Sequence, residues 1–193
     1  MMRDSRTRPC VQCGGLTAPP DTDDYEEIRV AALREIAADL EGCHEDAWRL
    51  WRTLIETEVP FTNAINFSTA LGVKEGTLQS RFARAGLPPL KKYLLSVALM
   101  RLAAGLEDSR RTLLAVVADL GWPSYPQSLA RITHTTMGTN VADFRARETG
   151  RSMLLRLRRL HVIPYLAVWR DFRPLAELAP AMRRVQVAGS VAP

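Results

Sequence analysis

The fold is decided by one pattern that occurs twice, as ALGVKEGTLQSRFARAG at residues 70–86 and as ADLGWPSYPQSLARITHTTMG at residues 118–138. Each copy contains a short apolar helix that ends in Leu-Gly, then a hydrophobic residue, a tight turn and a second helix with apolar spacing. Gly72 and Gly121 lie where the first helix must end, and glycine adopts the positive φ of such an ending at little cost. Two helices that cross at roughly 90–120° have this pattern. We therefore predict two helix-turn-helix units within a DNA-binding domain.

In the first unit, residues 61–86, Leu78 and Phe82 lie one helical turn apart and are expected to hold the second helix against the first. Burial of these two side chains turns Gln79 and Ser80 outward, where they can hydrogen-bond base edges, Gln79 best to adenine. The buried stripe expected on the first helix is Ala64, Ile65, Phe67, Ala70 and Leu71. The residues expected to face outward on the second helix are Glu75, Gly76, Gln79, Ser80 and Ala83.

In the second unit, residues 112–138, Pro126 can lie only in the first turn of a helix, because proline lacks a backbone N–H. The second helix should therefore begin near Ser124 or Tyr125, with Ser124 as its cap. Arg131 is the best base-contacting candidate, since a guanidinium can bind guanine O6 and N7 together. The expected buried residues of the first helix are Leu113, Val116, Val117 and Leu120. The outward candidates on the second are Gln127, Ser128, Ala130, Arg131 and His134.

A linker helix, predicted at residues 88–106, joins the two units; Pro88 and Pro89 start it, and it runs from about Leu90 to Leu106. Roughly 17 residues at 1.5 Å each make a rod of about 25 Å, and successive major grooves of B-DNA are about 34 Å apart. A rod of this length, with the thickness of the flanking units, can hold two recognition helices on one side of DNA. We assign Arg101 to the polar face of this helix, together with two lysines. The candidates for phosphate contacts are Lys74, Arg81, Arg84, Lys91, Lys92, His134 and Asn140.

This region resembles the DNA-binding domain of the AraC/XylS family of transcription regulators over roughly residues 45–147. The matching elements are Leu71-Gly72-Val73, Leu78 with Phe82, Gly86, Pro89, Lys92-Tyr93-Leu94, Leu120-Gly121-Trp122, Leu129 with Arg131, and Gly138 through Phe144-Arg145. The resemblance implies an all-α domain of seven helices whose two helix-turn-helix units read successive major grooves. It also implies contact with RNA polymerase. The positions that match the family's base-reading sites are Gly76, Gln79, Ser80, Gln127, Ser128 and Arg131.

The N-terminal segment, residues 1–24, is rich in proline and glycine and has no apolar periodicity, so we predict a flexible arm. It contains Cys10-Val-Gln-Cys13-Gly, which can form half of a zinc site. A closed zinc site needs four ligands, and the other nearby candidates, Cys43 and His44, point in different directions on a helix. We therefore predict no metal site and no cofactor, with Cys10 and Cys13 as the residues to consider if one exists.

Charge divides the chain into two parts. Residues 21–58 hold twelve Asp/Glu and four Arg, a net charge of −8, and the remainder holds 22 Lys/Arg and nine Asp/Glu, a net charge of +13. A basic block joined to an acidic block indicates a polyanionic partner for the basic part. The acidic part contains a helix at residues 25–44 and a second helix whose tryptophans, Trp48 and Trp51, are expected in the core.

The C-terminal extension, residues 148–193, begins with arginines that alternate with leucines, which predicts a basic amphipathic helix. Such a helix can cover the DNA-binding domain as a lid, mediate self-association, bind a partner or contact an anionic membrane surface. We favour the lid. The residues from about 183 read as a frayed tail.

Composition limits the functions that fit the chain. Apolar residues make up 47% of it, but there is no apolar run of 18 residues, which argues against membrane insertion. Three cysteines are too few for a disulfide framework and fit a reducing compartment, so we expect a cytoplasmic protein. No Ser/His/Asp set or pair of carboxylates has a convergent spacing, so we do not expect an enzyme. The sequence favours a transcription regulator that binds double-stranded DNA; the alternative is a protein-interaction adaptor or co-regulator.

Overall fold

A computed structural model describes residues 23–61, 63–122 and 126–173, and every regular element within them is helical. The α-helices are α1 (Asp23–Asp39), α2 (Glu45–Glu56), α3 (Ala64–Ala70), α4 (Glu75–Arg84), α5 (Leu90–Glu107), α6 (Leu113–Asp119), α7 (Pro126–Met137), α8 (Val141–Arg147), α9 (Gly150–Leu157) and α10 (Leu166–Asp171). A π-helical turn, Arg158–Val162, and a 3₁₀ turn, Ile163–Tyr165, join α9 to α10. The all-α prediction is confirmed for the described part of the chain.

The central element is α5, against which α1, α2, α3, α6, α8 and α9 all pack. Thirteen of its 18 residues are buried, as expected for a helix that is apolar on every side. One apolar cluster extends from Ile28 in α1 through α5 to Phe172 after α10. The helices on either side of the predicted linker helix therefore share its core.

Arg101, in the middle of α5, was assigned to a polar face, and that prediction is wrong. The residue is only 4% exposed. Its guanidinium donates to the backbone carbonyl of Ile55 and, at 2.8 Å, to that of Glu58. These carbonyls lie at and just beyond the end of α2, where helical hydrogen bonding stops. Arg101 therefore anchors α2 to α5 and is not available to a phosphate.

The first helix pair is α3 and α4, which are joined by a short turn. Asn63 caps α3 by accepting from the amide of Asn66 at 2.9 Å. Gly72 has φ of +73°, which ends α3 and allows the turn into α4. The second pair, α6 and α7, is separated by Gly121, with φ of +58°. Pro126 is the first residue of α7, which confirms its place in the first turn; Ser124, the predicted cap, lies outside the described residues.

The predicted apolar stripes are partly correct. Leu78, Phe82, Val116, Val117 and Leu120 are buried as expected, and Leu113 is half-buried. Ile65 is 59% exposed and Ala70 is also exposed, so their assignment to the buried face of α3 is wrong. With only seven residues, α3 buries Phe67 and Ser68 along a face too narrow to include Ile65. Among the tryptophans of α2, Trp51 is fully buried and Trp48 half-buried.

The C-terminal extension packs along α5 through α9. Thr149 begins α9 with a capping box, in which its side chain accepts from the amide of Ser152 and the Ser152 hydroxyl accepts from the amide of Thr149. Met153, Leu154 and Leu157 are buried. The basic side of this segment lies against acidic α1. Arg158 forms a two-bond pair with Asp39, at 2.6 and 2.8 Å, and Arg158 and Arg151 both pair with Glu35.

Candidate nucleic-acid interface

Burial of two residues fixes which side of α4 faces solvent. Leu78 and Phe82 are 0% and 1% exposed and lie one turn apart. The opposite side presents Gly76, Gln79 and Ser80, all exposed. Their small or medium size allows this face to come close to another surface. The three residues predicted to contact bases in the first unit therefore share one exposed strip.

The side chain of Gln79 is held by its neighbour one turn earlier. Its Nε2 donates to the Glu75 carboxylate at 2.8 Å. An amide nitrogen carries two hydrogens, so one donor and the amide oxygen can still face a base edge. That donor and acceptor are the pair that adenine requires in the major groove. Glu75 both orients this amide and adds a negative charge to the strip.

The exposed side of α7 is fixed in the same way as that of α4. Leu129 and Thr133 are 1% and 0% exposed, and the Thr133 hydroxyl donates within the helix to the carbonyls of Leu129 and Ala130, both at 3.1 Å. Arg131 and His134 are exposed. No acidic residue occurs in α7. Gln127 and Ser128 belong to the first turn of α7, and their side chains lie outside the described part of the structure.

The residues predicted to contact phosphate differ in their exposure and in their hydrogen bonds within the protein. Lys74, Arg84, Lys91 and Lys92 are exposed, and Arg81 is half-buried. The amide of Asn140 instead caps α8: its oxygen accepts from the amide of Asp143 and its nitrogen donates to the Asp143 carboxylate, both at 2.8 Å. One Nδ2 hydrogen of Asn140 is still available to a phosphate, but the side chain is held in its capping position, so the exposed lysines and Arg84 are the less constrained phosphate ligands.

The inner side of α4 rests on aromatic rings from the C-terminal extension, which sequence reasoning missed. The Phe82 ring lies edge-on to Tyr93 of α5 at 5.4 Å, to Phe172 at 5.4 Å and to Trp169 of α10 at 6.2 Å between centroids. Trp169 also meets Trp51 of α2 at 5.9 Å. Edge-to-face rings add to the stabilisation from buried area. The orientation of α4 thus depends on residues about 90 positions later in the chain, a relation that no local pattern reveals.

No group of three or more His, Cys, Asp or Glu side chains among the described residues is arranged to hold a metal ion. Cys10 and Cys13 lie outside the described part of the chain. No helix within the described ranges has the length and apolar character needed to span a membrane.

Comparison with protein-family models, with curated proteins and with solved structures found no match to this chain. The resemblance to the AraC/XylS family accordingly stays a prediction that depends on the motifs quoted above.

Proposed function

We propose that the chain is a cytoplasmic, sequence-specific transcription regulator that inserts α4 and α7 into successive major grooves of DNA, with α5 as the linker helix. The observation that supports this is shared by both helices. Each buries two side chains one turn apart and presents a solvent-facing strip of small and polar residues. An α-helix of this kind fits the major groove, where each base pair has its own pattern of donors and acceptors.

In this proposal the two strips read different bases. The exposed guanidinium of Arg131 binds a guanine through O6 and N7, and the Gln79 amide binds an adenine through N6 and N7. Gly76 and Ser80 are small enough to let the backbone of α4 approach the bases. Because α4 and α7 differ in sequence, one molecule reads an asymmetric site.

Affinity in this proposal comes from phosphate contacts. Arg158 and Arg151 are engaged with Glu35 and Asp39, so part of the acidic block is neutralised within the molecule. The exposed cations near α4 and at the start of α5, Lys74, Arg84, Lys91 and Lys92, stay available to a polyanion. Each phosphate neutralised contributes about −0.9 to the slope of log K against log salt concentration.

The test is selection of bound sequences from a random DNA pool, followed by binding measurements on the selected site. We expect two half-sites with centres about one helical turn apart. Arg131→Ala should weaken binding by about 1–3 kcal/mol and relax the preference at one position. Gln79→Ala should relax a position in the other half-site.

Arg49→Ala serves as the matched control, because Arg49 is an exposed arginine on α2 and belongs to neither strip. This variant should bind the selected site as the unaltered chain does. The proposal fails if no sequence is enriched and binding shows no dependence on salt. It also fails if Arg49→Ala weakens binding as much as Arg131→Ala.

A second function, a protein-interaction adaptor or co-regulator, is favoured by the apolar side chains that the C-terminal extension leaves exposed. Leu155, Leu160 and Ile163 are 44%, 50% and 45% exposed. Such a surface suits RNA polymerase, another protein or a second copy of the chain. This function predicts that Leu155→Asp abolishes capture of a partner, whereas Arg131→Ala and Gln79→Ala leave DNA binding unchanged.

A further inference from the structure

A cavity of about 360 Å³ lies between α5, the end of α7, α9 and the turns that follow α9. The proposed DNA contacts leave it unused except for Lys92 at its edge. Its apolar lining includes the half-buried side chains of Leu95, Met137 and Tyr165. Its volume falls at the lower end of the range for small-molecule sites, about 300–1,000 Å³. The cavity therefore suits a compact ligand with an apolar body.

One side of the cavity is polar and built from two residues far apart in the chain. The Ser96 hydroxyl lies 2.9 Å from His161 Nε2. His161 is 6% exposed, its ring packs on Tyr93 at 4.8 Å, and its Nδ1 has no hydrogen-bond partner among the described residues. An unpaired buried polar atom is destabilising, because the hydrogen bonds that it made to water in the unfolded chain are not replaced. Ser96 and His161 both line the cavity, so a ligand there would meet polar side chains on this side.

The charge at the cavity is positive. Lys92 and Arg156 line it, and none of its lining residues is acidic. Neither cation forms an ion pair with a described carboxylate, in contrast to Arg151 and Arg158, which flank Arg156 and pair with α1. Arg156 is half-buried, so its charge is less screened by water than that of an exposed arginine. An anionic group is the ligand chemistry that these two residues select.

We propose that this cavity binds a small organic carboxylate, whose carboxylate contacts Lys92 and Arg156 and whose apolar body fills the space beside Leu95 and Met137. The end of α7 forms part of the same cavity through Thr135. The Thr135 hydroxyl donates to the carbonyl of Arg131 at 2.7 Å. A bound ligand would therefore lie next to the helical turn that contains Arg131, the residue proposed to bind guanine. A role as effector of DNA binding rests on the proposed function, whereas ligand binding itself does not.

The test is isothermal titration calorimetry on the full chain with hexanoate and 3-phenylpropanoate, without DNA. We expect saturable one-to-one binding of at least one carboxylate. The neutral probes hexanamide and 3-phenylpropanamide should bind at least about tenfold more weakly, because they lack the charge that Lys92 and Arg156 attract. Inorganic phosphate should not compete, because it has no apolar body. Lys92→Gln and Arg156→Gln should each weaken carboxylate binding about tenfold.

Lys91→Gln is the matched control, because Lys91 is the neighbouring exposed lysine on α5 and does not line this cavity. It should bind the carboxylates unchanged. Leu95→Phe, a substitution in the lining, should block binding, with circular dichroism as the check on folding. The proposal is overturned if neither carboxylate binds, if the amides bind equally well, or if Lys92→Gln and Arg156→Gln bind as the unaltered chain does. Since the assay contains no DNA, these outcomes are independent of the DNA-binding proposal.

Discussion

His161 is a buried imidazole whose neutral form the fold favours. Burial, and the positive charge of nearby Lys92, lower its pKa from 6.5 to about 4. Above pH 6.5 the ring is neutral in both the folded and the unfolded chain. As the pH falls from 6.5 toward 4, the unfolded chain binds a proton that the folded chain does not. We expect this residue alone to remove about 2 kcal/mol of unfolding free energy between pH 7 and pH 4.5.

Urea unfolding at several pH values measures this loss, and His161→Gln isolates it from the titration of carboxylates. The variant should show a flatter dependence of the unfolding free energy on pH than the unaltered chain. His134→Gln replaces an exposed histidine on α7 and leaves the buried imidazole in place, so it should keep the original dependence. Equal slopes for the unaltered chain and His161→Gln would show that His161 is not held neutral by burial.

At the scale of single residues, sequence reasoning succeeded where the partner is local and failed where it is distant. Leu78 and Phe82 lie one turn apart, so their shared burial follows from helical geometry. Arg101 has its partners 43 and 46 residues earlier, at the carbonyls of Glu58 and Ile55. An arginine is usually exposed, and only the packing of α2 on α5 makes its burial favourable.

Gly150, at the start of α9, lets α9 approach α5 closely because glycine has no side chain. A Cβ added to Gly150 would lie 2.8 Å from the Cβ of Ala104, 3.3 Å from its Cα and 3.1 Å from Ile28 Cγ1. Alanine normally favours a helix over glycine by up to about 1 kcal/mol. Here the overlap with α5 opposes that gain, and overpacking typically costs about 1–3 kcal/mol. We expect Gly150→Ala to lower the unfolding free energy by about 1–2 kcal/mol.

Gly76→Ala on α4 is the comparison variant, because an added Cβ has free space there. Gly76 lies in a helix and is exposed, with no atom within 4 Å of the added Cβ. The substitution should leave the unfolding free energy unchanged or raise it by up to about 1 kcal/mol. Urea midpoints followed by circular dichroism compare the two variants. A stabilised Gly150→Ala would mean that α9 does not approach α5 as closely as the structure has it.

At the scale of elements, the amphipathic pattern of the C-terminal extension predicted a helix and favoured a lid over residues 45–147, but it could not identify which helices the lid covers. The buried residues of α9 pack against α5, and Arg158 forms an ion pair with Asp39 of α1. The rings of Trp169 and Phe172 contact Phe82 in α4. Periodicity shows which residues share a face of one helix. It does not show which other helix covers that face. The exposed strips of α4 and α7 followed from local spacing, whereas the aromatic support beneath α4 did not.

Over the whole molecule, opposite charges bring the two ends of the described chain together. Glu35 and Asp39, in the acidic block, pair with Arg151 and Arg158 of the basic extension. The division of charge along the sequence predicted a polyanionic partner, yet part of it is used within the fold. Two arginines of the basic extension are therefore paired within the fold, while Arg159 and Arg170 of the same extension and the lysines of α5 stay exposed.

The resemblance at residues 45–147 predicts a DNA-binding domain. Whether that domain folds alone depends on how many buried side chains the C-terminal extension contributes. A chain ending at residue 147 loses α9, α10 and the turns around them, and with them the buried side chains of Met153, Leu154, Leu157, Val162, Trp169 and Phe172. Each buried side chain of this size contributes about 1.5–3 kcal/mol. Their joint loss is comparable to the whole stability of a typical domain, about 5–15 kcal/mol.

We therefore expect the chain of residues 1–147 to show no cooperative thermal transition by circular dichroism. A chain ending at residue 182 is the control, because it keeps every buried residue of α9 and α10 and lacks only the predicted tail. It should melt as the full chain does. A cooperative transition in residues 1–147 would mean that α5 can be covered without α9, and that the extension is an addition to an independent DNA-binding domain. Absence of that transition would make the extension a part of the core on which α4 depends.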